Sequence, residues 1–84
     1  MLIIVTTLSN GGVAPPELIS RGFAESEDLF AEMRGEAHEI VRNLLREDIR
    51  EIKLLQEHLH DGLGQLIYDR TRRRPMILPV VVEV

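Results

Sequence analysis

Cysteine and tryptophan are absent from the 84 residues, and the aromatic complement is one Tyr and two Phe. Without thiols the chain can form neither a disulfide nor a thiolate metal site, so thiol redox chemistry is excluded and the composition suits a reducing cytoplasm. So few rings cannot build the stacking platforms on which single-stranded nucleic-acid binders rely. Long apolar runs are missing too. The opening Leu2-Ile-Ile-Val-Thr-Thr-Leu8 falls far short of the roughly 20 residues that span a bilayer, and it lacks the basic flank of a signal peptide. A soluble chain with no membrane partner is expected. Net positive charge is also lacking: the formal balance is −4, which opposes whole-surface attraction to phosphate backbones. Four of the ten basic residues nevertheless sit together at Arg70, Arg72, Arg73 and Arg74, so any nucleic-acid contact must be local.

An apolar content of 44% in so short a chain supports one core and a single domain over residues 1–84. Residues 2–8 combine β-branched side chains with a continuous apolar run, which predicts a strand buried on both faces or lying at a subunit edge. Ser9-Asn-Gly-Gly12 predicts a turn, and Pro15-Pro16 a stiff extended connector. Leu18 to Phe23 alternates weakly and is read as a short second strand. Ser26 is a candidate helix N-cap, with Glu27 and Asp28 placing negative charge at the positive end of the helix dipole. Leu29, Met33, Ala37, Ile40, Val41 and Leu44 then draw one apolar stripe, with Glu32, Glu36, Glu39 and Arg42 outside it. The same spacing runs on through Leu55, Leu59, Leu63 and Leu66. A single helix of about 40 residues would be about 60 Å long, too long for a domain of this size, so a break is placed between residues 46 and 50, with Asp48 as N-cap and Glu51 as its partner. Gly62 and Gly64 in the second helix suggest close approach of another backbone. Pro75 is expected to end that helix. A last strand, Met76 to Val84, can hold Pro79 only at an edge, at a bulge, or where that nitrogen faces away from a neighbour. The sum is an α+β, two-layer sandwich: a sheet of about three strands in the order β-β-α-α-β, covered on one face by two helices.

Motifs for chemistry are sparse. His58 and His60 are two apart on a helix and point to different sides, unlike the four-apart pair that binds metal, so they and His38 are read as surface histidines. The carboxylates fall on exposed helix positions and read as a solubilising face. Ser9-Asn-Gly-Gly12 lacks the spacing and lysine of a phosphate loop. The Arg70–Arg74 cluster has two readings: a contact for RNA phosphate or an acidic partner, or helix C-terminal charge paired with the acidic helices.

Ile19-Ser-Arg-Gly-Phe23, the two amphipathic helices, Tyr68, the run Thr71-Arg-Arg-Arg-Pro-Met-Ile-Leu-Pro79 and the ending Val-Val-Glu-Val84 together resemble the C-terminal domain of bacterial ribonuclease J. That family comprises metallo-β-lactamase/β-CASP ribonucleases. Ser20, Arg21, Gly22, Phe23, Tyr68, Pro75 and Pro79 carry the signature. Ala24-Glu25 departs from it, standing where the family extends a strand with apolar residues, and the link between the helices looks shorter than is usual there.

The resemblance implies a small sheet under two helices, appended to a larger catalytic body that lies outside this chain, with a linker arriving at Met1, which is then expected to be an artificial start. The parent it implies is a zinc-dependent 5′-to-3′ exoribonuclease with endonuclease activity in RNA maturation and decay. The family's zinc ligands lie in its catalytic part, so no catalytic or metal residue and no cofactor is carried over to this segment. The expected role is non-catalytic: supporting oligomer assembly or orienting the catalytic domains. The expected partners are those domains of its own chain, further copies through the parent, and the parent's RNA. The alternative is an RNA-guiding module built on Arg70, Arg72, Arg73 and Arg74. A hydrolase in its own right finds no supporting motif.

Overall fold

Residues Leu2–Ser9 form β1, the strand on which the sheet is built. The computed structural model describes residues 1–10 and 12–84. After β1 come β2 (Gly12–Val13), β3 (Glu17–Ser20), α1 (Glu27–Arg46), α2 (Ile52–Thr71) and β4 (Ile77–Glu83). The expected α+β two-layer sandwich is met, with one more strand than predicted.

The extra strand arises at the prolines. Both β2 and β3 run antiparallel along the same edge of β1, β2 pairing Leu8 with Val13 and β3 pairing Val5 with Glu17. Between those two pairs β1 advances by three residues and the returning chain by four, so the return is one strand interrupted by a bulge at Ala14-Pro15-Pro16. Proline lacks the N–H a ladder needs, and a bulge is one of the few places a strand tolerates it. The turn predicted over Ser9–Gly12 includes Gly11, which lies outside the described residues; Asn10 adopts a φ of 51°.

The other edge of β1 pairs in parallel with β4, from Leu2 opposite Ile77 to Leu8 opposite Glu83. The Leu2 N–H donates to the Met76 carbonyl, and the Val84 N–H donates to Leu8. The even-numbered residues of β4 therefore face β1, and the odd-numbered ones turn outward. Pro79 falls in the outward set, so its missing N–H costs no ladder bond, one of the placements expected for it. The outward N–H of Val81 is taken up by Gln56 Oε1 of α2 at 3.1 Å, which blunts that edge.

The short second strand predicted to reach Phe23 stops at Ser20. Gly22, with a φ of 71°, turns the chain there, and the Ser20 hydroxyl donates to the Phe23 carbonyl to close the turn. Phe23 then enters the core. Ser26 caps α1 as expected, its Oγ accepting from the Leu29 N–H at 3.2 Å.

The helix break falls where predicted, but Asp48 plays the opposite part. It adopts a φ of 60°, and the N–H groups of Asp48 and Ile49 return to the carbonyls of Leu45 and Leu44 at 3.0 and 2.9 Å. That pair of bonds is a Schellman motif closing α1, with Ile49 folded back onto the core. Glu51, and not Asp48, stands at the N-cap of α2, and it makes no side-chain capping bond.

The two helices lie antiparallel on one face of the sheet. A helix of 20 residues is about 30 Å long, which matches the 34 Å long axis of the molecule. Leu2, Ile4, Thr6 and Leu8 of β1 face the helices. Against them pack Met33, Ala37 and Val41 of α1 and Leu55, Leu59, Leu63 and Ile67 of α2. Full burial of each such large side chain stabilises the fold by about 1.5–3 kcal/mol. Ile67 replaces the expected Leu66 at the centre of the stripe; Leu66 packs at its margin. Gly62 makes room for a side chain and not for a backbone, since a Cβ there would come 2.6 Å from Ile40 Cδ1, whereas one on Gly64 would meet Ile77 Cδ1 at an ordinary contact distance of 3.7 Å.

Candidate functional site

The end of α2, the turn after β3 and the start of β4 converge at one end of the molecule, and the predicted arginines lie there. The helix ends at Thr71, four residues before the expected terminator Pro75. Arg72 ends it by adopting a φ of 59°, with its N–H donating to the Tyr68 carbonyl at 2.8 Å. Thr71 ties the exit together, since its hydroxyl donates to the Ile67 carbonyl and accepts from the Arg73 N–H. Only Arg70 therefore lies within the last helical turn.

The four guanidinium groups divide into two pairs. Arg70 forks onto Glu32 of α1, with Nε 3.1 Å from Oε1 and Nη2 bonded to Oε2. Hydrogen bonding from Arg70 holds the Glu32 carboxyl below its ordinary value of 4.5 against the opposing effect of burial, and the same bond raises Arg70. Arg73 donates to Glu25 at 2.9 Å and lies over the Phe23 ring, 5.0 Å from its centroid. These two arginines bolt α2 and its exit to α1 and to the turn before it. Arg72 and Arg74 have no carboxylate within 4 Å among the described residues. Both lie instead over the ring of Tyr68, at 5.3 and 4.1 Å from its centroid. Beside them a shallow cleft of about 240 Å³ is lined by Met1, Gly22, Phe23, Arg73, Arg74 and Pro75.

The remaining signature residues, Pro79 apart, serve this junction. The Arg21 N–H donates to the Met1 carbonyl at 2.8 Å, extending the β1–β3 ladder by one bond, and its side chain is exposed. Ser20, Gly22 and Phe23 form the turn that Arg73 covers, while Pro79 sits on β4, away from the cluster. His58 and His60 are exposed on α2, and His38 lies on α1 beside a groove lined by Gly12, Val13, Arg42, Leu45 and Arg46. Among the described residues, no group of three His, Asp or Glu side chains is arranged so that it could hold a metal ion. No helix among them is long and apolar enough to cross a membrane.

A second surface was not singled out from the sequence. The sheet face turned away from the helices carries Ile3 and Val5 from β1, Ile19 from β3, and Leu78, Val80 and Val82 from β4. Ile19, Leu78 and Val82 are 43%, 48% and 40% exposed. The charges in this register are few, with Glu17 opposite Val5. Three strands about 4.8 Å apart and about six residues long give a patch of roughly 300 Å² in projection. The signal was present in the unbroken apolar run of β1 and in Val80-Val81-Val82, because a strand with one wet face alternates and these do not.

Comparison with known proteins places these features in a family. The model of the family described as "Ribonuclease J C-terminal domain" matches residues 1–84. "Ribonuclease J 2" of Staphylococcus aureus (strain NCTC 8325 / PS 47) is 40% identical over 74 residues, covering 84% of this chain and 13% of that protein. "Ribonuclease J2" of Bacillus subtilis (strain 168) is 37% identical over an alignment of 94 residues, covering 100% of this chain and 16% of that protein. The chain thus spans less than a fifth of the length of the relatives it matches.

Proposed function

The chain belongs to the ribonuclease J C-terminal domain family, and from that premise we propose that it is the non-catalytic accessory part of a cytoplasmic RNA-processing and RNA-decay enzyme. In this reading it joins copies of the enzyme, or orients the catalytic domains of its own chain, through the uncovered face of its sheet. The apolar patch of exposed Ile19, Leu78 and Val82 around half-buried Val80 is the observation that carries the proposal. An apolar patch of a few hundred Å² is within the range of the largest patch on a monomer, and such patches are often functional. At roughly 300 Å² the patch falls short of the roughly 800 Å² per partner of a standard interface, so it would form the apolar centre of a contact whose rim comes from neighbouring residues. The zinc-dependent cleavage chemistry expected of such an enzyme belongs to parts outside these residues.

The test is a charge placed at the centre of the patch. Val80→Glu, made in the complete ribonuclease that carries this domain, is expected to lower the assembly's mass in analytical ultracentrifugation, or to slow RNA decay if the face orients catalytic domains. Unchanged mass together with unchanged decay would refute the docking role.

A second reading, in which the arginine cluster guides RNA, is favoured by one observation: Arg72 and Arg74 are without a carboxylate partner among the described residues.

A further inference from the structure

We propose that Arg72 and Arg74, held against Tyr68, form the phosphodiester-binding pair for single-stranded RNA, while Arg70 and Arg73 bind no RNA and serve as clamps. The inference rests on the RNA-guiding reading and divides its site into two working parts. Arg70 gives Nε and Nη2 to Glu32 and Arg73 gives Nη1 to Glu25, so the charge of each is already paired. A phosphate approaching either one meets the field of a neighbouring carboxylate.

The other pair is differently placed. Two like charges lean on one ring, at 5.3 and 4.1 Å, with no counter-ion supplied by the described residues. The ring attracts each guanidinium through its π face, but it occupies none of their N–H donors. Those donors are free to take a phosphate oxygen in the planar, forked geometry that suits arginine to phosphate. A phosphate bound at either group would offset the like charge of the other.

Backbone geometry points the same way. Arg72 occupies the left-handed helix-ending position with a φ of 59°, where glycine fits without steric cost. Stability alone would favour glycine there, so an arginine at this position carries local strain, a pattern found at functional positions. RNA is favoured over an acidic peptide because a stacked guanidinium offers both an edge to phosphate and an outer face to a base. A carboxylate chain would use the edge alone. The formal charge of −4 on the whole chain confines this contact to the one end where the two free arginines lie.

The experiment is fluorescence anisotropy of a short labelled single-stranded RNA with the 84-residue chain across a salt series, with thermal melts of every variant. Each phosphate neutralised on a single strand contributes about 0.7 to the slope of log Kobs against log salt. Arg72→Gly and Arg74→Gln should each weaken low-salt binding several-fold and lower that slope by about 0.7. Arg72→Gly should at the same time raise the melting temperature, because it relaxes the left-handed backbone. Arg73→Gln should do the reverse, lowering the melting temperature and leaving the slope unchanged. RNA binding that survives Arg72→Gly and Arg74→Gln with its slope intact would overturn the pair as the site and leave the RNA reading standing. No binding by the unaltered chain at low salt would overturn the RNA reading itself. Displacement of the RNA by polyglutamate as readily as by unlabelled RNA would assign the pair to an acidic peptide and overturn the proposal.

Discussion

Replacing Thr6 by valine is expected to stabilise the fold, although it removes a polar group from the centre of the sheet. Thr6 lies on the helix-facing side of β1, is 0% exposed, and sits opposite Val81. Its Oγ1 has no hydrogen-bond partner among the described residues. Thr6 and Thr7 of β1 also face the bulge at Ala14-Pro15-Pro16, where the ladder is interrupted. A buried hydroxyl left unpaired costs about 1–3 kcal/mol. Valine keeps the branched shape and the strand preference while replacing the hydroxyl by a methyl group. A gain of about 1 kcal/mol is expected, and for a domain of this size that raises the melting temperature by roughly 4–8 °C. Thermal and urea unfolding followed by circular dichroism measure it, with an unchanged urea m-value showing that the effect lies in stability and not in the unfolded chain. Thr6→Ser supplies the opposite control, since it keeps the hydroxyl, loses a methyl and should destabilise. A melting temperature for Thr6→Val at or below that of the unaltered chain would refute the reasoning, because it would mean that the hydroxyl is satisfied, for instance by a buried water.

Ser26→Ala removes the acceptor for the Leu29 N–H and should cost about 1 kcal/mol, read as a lower urea midpoint at constant m-value. Glu32 gives a pH test. Its carboxyl is held below the ordinary 4.5 by Arg70 in the folded chain, so its contribution to stability is full above that value and is lost as pH falls through the folded one. Urea midpoints of the unaltered chain and of Glu32→Gln should therefore differ near neutral pH and converge in acid. A difference that persists in acid would detach the effect from this ion pair.

Much of the secondary structure was legible because its determinants are local. The Ser26 cap, the stripe from Leu29 to Leu44 and the spacing from Leu55 to Leu63 each depend on residues within a turn or two of one another. Errors came where one residue type serves opposite ends of a helix. Asp48 looks like an N-cap in sequence, yet it closes α1 in a left-handed conformation, and only the return of Ile49 onto the core decides between those roles. Pro75 looks like the terminator of α2, but Arg72 had already turned the chain. The placement of Pro79 was legible as a set of alternatives, because a missing N–H limits where proline can sit. The outward register against β1 selected among them.

The sequence by itself determined the α+β class, the positions of both helices and the strength of the family signature, because periodicity, capping residues and an unbroken motif act along the chain. Tertiary structure alone decided that β1 is the central strand, with β4 parallel to it, and that the far face of the sheet stays open. It alone divided the arginines as well. Arg70 finds its carboxylate 38 residues away and Arg73 finds its own 48 away, while Arg72 and Arg74 turn to a nearby ring. Adjacent residues of the same type acquire different chemistry because charge pairing is settled by distance in space, and these partners meet only after the helices have folded back on one another.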